Sequence, residues 1–222
     1  MTISGLDAAL SMTPAAQTAT PGVRRGYGVN YSEVNKQHEN VVKIMPGGYF
    51  VGHGCRRIET SLGSCVAACI RDPYAGVGGM NHFMLPQNSG AHDNWLSCER
   101  TRYGVHAMET LINAIIKRGG ERQHFEVKLF GGGHVVNQMK TDIGQLNIAF
   151  VRLFLKTEGL AISAEDLGGL CSRRLIYDIN TGEVLLKHSV NSPRELVQQR
   201  DQAHLKRISQ TPAWGEIELF ES

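Results

Sequence analysis

The chain has 222 residues, 41% hydrophobic and 20% charged, with a formal net charge of +2. That is ordinary globular composition, long enough to bury a core as one domain with tails. The charge is too small to argue for nucleic acid or an anionic membrane as a partner, and no apolar run is long enough to span a bilayer.

Residues 1–27 are rich in Ala, Thr, Ser, Pro and Gly, without apolar periodicity, and read as a disordered tail. They lack the basic start and apolar stretch of a signal peptide, so the chain is expected in the cytoplasm, where thiols stay reduced. An odd count of five cysteines (Cys55, Cys65, Cys69, Cys98, Cys171) also disfavours a disulfide framework. The core is expected to begin near Val41, where VVKIMPGGYFVG offers a short apolar run and a turn. In SCVAACIRD (64–72), Val66, Ala68 and Ile70 alternate with Ala67, Cys69 and Arg71, a strand bounded by Gly63 and Asp72-Pro73. VGGMNHFM (77–84) reads as a second strand, and DPYAG between them makes the pair a hairpin.

Over 97–118, Val105, Met108, Leu111, Ile112, Ile115 and Ile116 recur at helical spacing, with Lys117 and Arg118 suiting the C-terminal dipole and Gly119 a left-handed cap. FEVKLFGGGH (125–134) is a strand running into a glycine loop. Residues 143–158 form a second amphipathic helix, with Ile143, Leu146, Phe150, Leu153 and Phe154 on one face and Gly159 as stop. RRLIYDINTGEVLLKH (173–188) is a hairpin turning at Asn180-Thr181-Gly182. A last helix over 193–208 opens with the capping box of Ser192 and Glu195, with Pro193 at its first position. The expectation is an α+β fold, mixed or antiparallel sheets layered with two or three helices. It divides into a tail (1–27), a domain (28–190), and a C-terminal helix and tail (191–222).

LGSC (62–65) puts a cysteine just after a glycine turn, where backbone N–H groups such as those around Gly63 and Ser64 can hold the negative oxygen of a tetrahedral intermediate. A free thiol titrates near about pH 8.5, so a catalytic cysteine needs a base. His82 stands seventeen residues on, in the partner strand of the proposed hairpin. If both face one side, the pair can do nucleophilic chemistry. The plainer alternative is a small buried thiol and a core histidine.

The stretch LGSCVAACIRDPYAGVGGMNHFMLP (62–86) closely resembles the signature of the CheD chemoreceptor glutamine deamidases, with its LGSC cysteine, DP turn and H-x-MLP segment. The resemblance continues through FGGGH (130–134), IGQLN (143–147) and DLGGLCSRRLIYDINTGEV (166–184), and covers roughly residues 41–190. It implies a cysteine-hydrolase-like single domain that converts receptor glutamines to glutamates, with Cys65 as nucleophile, His82 as base and no cofactor. It also implies chemotaxis receptors as partners, and a CheC-type phosphatase as a second one. A threonine upstream of the cysteine orients the histidine in the family. In some members it lies six residues before the cysteine, where this chain has Glu59, with Thr60 one residue later. Thr60 is taken as the third member, with Glu59 as the alternative, because neighbouring residues on a strand face opposite sides.

Other signals carry less. Gly131-Gly132-Gly133-His134 lacks the ending and spacing of a phosphate loop and reads as a tight turn beside the site. His92, Cys98, His106 and the His53-Gly54-Cys55 run match no common zinc spacing. Arg56-Arg57 and Arg173-Arg174 read as solvated basic pairs, and WGEIELF (214–220) as either a docking peptide or a frayed end.

Overall fold

A computed structural model describes residues 23–25, 41–54, 56–86, 99–134, 142–189, 199, 201–204 and 206–207. In chain order these form strands β1 (Val23–Arg25), β2 (Val41–Lys43), β3 (Tyr49–His53), β4 (Arg57–Leu62), β5 (Val66–Asp72) and β6 (Val77–Asn81). Helix α1 (Glu99–Ile116), a short 3-10 turn (Arg122–His124), β7 (Glu126–Gly131) and helix α2 (Ile143–Thr157) follow, then β8 (Ile162–Leu167), β9 (Ser172–Asp178) and β10 (Val184–Ser189). Residues 199, 201–204 and 206–207 are helical. None of the described helices is long and apolar enough to cross a membrane.

The strands make two sheets, one ordered β1-β10-β9-β4-β2 and the other β3-β6-β5-β7-β8. Each mixes pairings: β1–β10, β2–β4 and β7–β8 are parallel, and the remaining neighbours antiparallel. One core lies between the sheets, joining Ile58, Leu62, Leu175 and Tyr177 of the first to Ala67, Cys69, Met80 and Phe130 of the second. The other lies between the second sheet and the helices, joining Val66, Ala68 and Ile70 to Met108, Leu111, Ile115, Val151 and Leu155. The molecule is therefore a three-layer α+β fold, and β5 is covered on both faces. That explains why VAACI alternates between two sets of apolar side chains rather than between apolar and polar ones.

The hairpins of β5 with β6 and of β9 with β10 form as the sequence predicts, and the first two of the three predicted helices end before a glycine of positive φ, Gly119 and Gly159. Asp142 caps α2, accepting a hydrogen bond from the Gln145 N–H. Val23–Arg25 depart from expectation. Assigned by composition to an unstructured tail, they pair along β10, with Val23 opposite Val184. Backbone hydrogen bonds hold such an edge strand and leave no pattern in its side chains.

Candidate active site

Leu62 ends β4 in the first sheet and Val66 opens β5 in the second, so Gly63-Ser64-Cys65 is a link crossing between layers. All three of its carbonyls accept hydrogen bonds. The Gly133 N–H donates to Gly63 O at 2.8 Å, the Asn147 side-chain amide to Ser64 O at 2.8 Å, and the Gly132 N–H to Cys65 O at 2.7 Å. In a trans peptide the N–H points opposite its carbonyl, and no described peptide bond is cis. The Ser64 N–H is thus aimed away from the glycine loop, and the Cys65 N–H away from Asn147 of α2. The predicted tight turn at Gly131–Gly133 has this concrete task. Gly131 runs so close that a Cβ on it would lie 2.1 Å from Cys65 O, and its φ of +117° also favours glycine.

His82 follows β6 and is fixed through its backbone, donating to Gly48 O at 2.9 Å and accepting from the Gly47 N–H at 2.7 Å. Val66 and Phe83 form an antiparallel bridge. In that register Cys65 opposes Met84 and Ala67 opposes His82, so Cys65 and His82 are diagonal neighbours on the face toward the first sheet. Both are fully buried.

Thr60 reaches the same space from the first sheet. On β4, Ile58, Thr60 and Leu62 are wholly buried and face inward, while Glu59 lies on the opposite face, paired with Arg174 at 2.8 Å. The Thr60 hydroxyl sits 2.7 Å from His82 Nδ1 and donates to Ile44 O at 3.0 Å. A hydroxyl has one hydrogen and a carbonyl can only accept. Both contacts are therefore satisfied when Thr60 donates to Ile44 and accepts from His82 Nδ1–H. This leaves the lone pair of the neutral ring on Nε2, the tautomer a general base uses.

Two site residues carried no assigned role in the sequence. Asn147, fully buried on the apolar face of α2, bridges Ser64 O and the Leu85 N–H, whose bond to Asn147 Oδ1 is 2.8 Å. A polar residue four after Ile143 on an otherwise apolar stripe was the available signal. Asp201 comes from the C-terminal helical residues. Its Oδ2 accepts from the Ser64 N–H at 3.1 Å and the Ser64 hydroxyl at 3.0 Å, and its Oδ1 lies 3.6 Å from Cys65 Sγ. No motif points to it.

The remaining candidates lie apart or outside. His53 and His106 are exposed, on β3 and α1. Burial pushes the Cys69 thiol pKa up, with the nearby Lys128 charge opposing. Cys55, His92, Cys98 and residues 214–220 fall outside the described residues. The reading of Arg173 as a solvated cation is corrected. It is 3% exposed, donates to Gly131 O and Gly168 O, and pairs with Asp166 at 3.3 Å, so it braces the glycine loop from behind.

Comparison with known proteins gives the chain its relatives. The family model described as CheD chemotactic sensory transduction matches residues 84–188. A protein of Hahella chejuensis named "Probable chemoreceptor glutamine deamidase CheD" is 43% identical over 192 residues, which is 86% of this chain and 90% of that one. One of the same name from Saccharophagus degradans is 48% identical over 184 residues, 81% of this chain and 84% of that one. A crystal structure of the Neisseria meningitidis protein NMB0706 superposes with a TM-score of 0.36 at 13% identity, over 63% of this chain and 67% of that one. With identity above two fifths along most of both sequences, the chain belongs to the CheD family of chemoreceptor glutamine deamidases.

Proposed function

We propose that this protein is a cytoplasmic protein-glutamine deamidase that converts glutamines of chemotaxis receptors to glutamates, with Cys65 as nucleophile, His82 as general base and Thr60 as the residue that positions His82. Family membership supports the reaction class. The hydrogen bond of 2.7 Å between Thr60 and His82, on the face that carries Cys65, is the observation that supports these roles.

Each step follows from the residue types. His82 Nε2 takes the thiol proton, and Cys65 Sγ attacks the side-chain amide carbon. A C–S bond forms, and the carbonyl oxygen gains a negative charge that the N–H groups around Ser64 and Cys65 stabilise. His82 returns the proton to the amide nitrogen, the C–N bond breaks and ammonia leaves a thioester. Water gives a proton to His82 and attacks the thioester carbon, the C–S bond breaks as His82 passes that proton to Cys65 Sγ, and the acid product ionises to a glutamate side chain. Thr60 accepts the Nδ1–H throughout, so the ring keeps one orientation in both charge states.

Peptide mass spectrometry of a receptor cytoplasmic fragment, incubated with wild type and with Cys65→Ala, tests the reading. Glutamine-to-glutamate conversion is expected with wild type alone. Conversion by Cys65→Ala would remove Cys65 as the nucleophile, and absence of conversion by wild type on several receptors would remove the activity. The full burial of Cys65 and His82 favours a second reading, in which the chain works by docking on receptors or on a CheC-type phosphatase with little turnover. Restored signalling by Cys65→Ala in a strain lacking the protein would select that reading.

A further inference from the structure

Asp201 stands where the proposed chemistry needs a substrate. Its carboxylate takes the Ser64 N–H at 3.1 Å, one of the groups aimed to hold a carbonyl oxygen, and its second oxygen touches Cys65 Sγ at 3.6 Å. A negative oxygen there also opposes the thiolate that attack requires. Asp201 is itself 1% exposed, so this is a buried contact rather than a surface one. The same helical segment closes over the histidine side. His204 is 5% exposed, and Arg207 lies 3.3 Å from His204 Nδ1 and 3.5 Å from Pro46 O, next to the Gly47-Gly48 turn that holds the His82 backbone. Tyr103 of α1 joins them: burial raises its pKa, the Arg207 charge lowers it and Cys65 raises it.

We infer that the C-terminal helical segment is an autoinhibitory pseudosubstrate, seating the Asp201 carboxylate in the pocket that takes a substrate glutamine's side-chain amide. A carboxylate has no ammonia to lose, so it fills the site without turning over, and it resembles the glutamate product. Because Asp201 is carried on a helix, the pocket accepts a side chain presented by helical backbone. A receptor segment of that kind binds by displacing the cover. The inference rests on the reading of Cys65 as nucleophile, and its test does not depend on receptor turnover.

The test is the rate at which iodoacetamide, a carboxamide-bearing alkylator, labels each cysteine of the full-length protein, read by peptide mass spectrometry. The expected result is that Asp201→Ala speeds labelling of Cys65 by about tenfold or more, the scale of losing hydrogen bonds to a charged group. His204→Ala, a second variant that leaves Asp201 in place, should speed it in the same direction. Cys69, fully buried in the core between the sheets, reports folding and should stay protected in both. Unchanged Cys65 labelling in both variants would overturn the inference. So would a rise matched at Cys69, because the segment would then be a structural buttress. Faster Cys65 labelling together with intact receptor glutamines in every sample would sink the deamidase reading while leaving the cover in place.

Discussion

Thr60 has one hydrogen to give and two neighbours, Ile44 O and His82 Nδ1, within hydrogen-bonding distance. In the proposed mechanism its part is positioning, so removing the hydroxyl should act through His82. Thr60→Val keeps the shape but leaves Nδ1–H buried without an acceptor, a cost of about 1–3 kcal/mol in stability. It should also lower kcat more than it changes KM, and shift the basic-going limb of the pH–rate profile, while Thr60→Ser restores both. A profile unchanged by Thr60→Val would make the threonine structural. Sequence spacing alone left Thr60 and Glu59 as rivals, because one strand residue's difference turns a side chain to the other face. The burial of Thr60 and the pairing of Glu59 with Arg174 decide which of them meets His82.

Among the elements, the glycine loop after β7 and the link after β4 depend on each other. Gly131–Gly133 supply two N–H groups to the carbonyls of Gly63 and Cys65, and Asn147 of α2 supplies a third donor to Ser64. Gly131→Ala would set a Cβ against Cys65 O in a backbone region that favours glycine. The expected loss is about 3 kcal/mol, measured as a lower urea midpoint. A midpoint equal to wild type would mean the loop yields without cost. The hairpins and the two long helices were legible because period and turn residues mark them locally. The edge strands β1 and β8 were not. Ile162–Leu167 carries Glu165 and Asp166, with Arg152 paired to Glu165, a charged pattern that suits an edge but mimics a loop. Asp201 was illegible for a different reason: it meets Ser64 only through tertiary packing, 137 residues away in sequence.

For the molecule as a whole, one carboxylate gives folding stability an acid dependence. Asp72 accepts N–H bonds from Tyr74, Ala75 and Glu121, tying the β5–β6 turn to the chain before β7. Burial raises its pKa, but those three N–H bonds and the His124 charge outweigh it and hold the carboxyl below its ordinary value. A folded pKa below the unfolded one means that the stabilisation is complete above the unfolded value and is lost as pH falls through the folded one. Thermal midpoints measured from neutral pH down to about pH 3, below the ordinary carboxylate range, should therefore fall less steeply for Asp72→Asn than for wild type. Equal slopes would assign the acid loss to other groups. The layering has a consequence of a different kind. Cys65 and His82 hang from one sheet and Thr60 from the other, and packed sheets lie about 10 Å apart. The Thr60–His82 hydrogen bond is thus a gauge of how the two slabs are seated. On the proposed mechanism, any ligand, partner or mutation that shears one across the other would change the chemistry of Cys65 without approaching it.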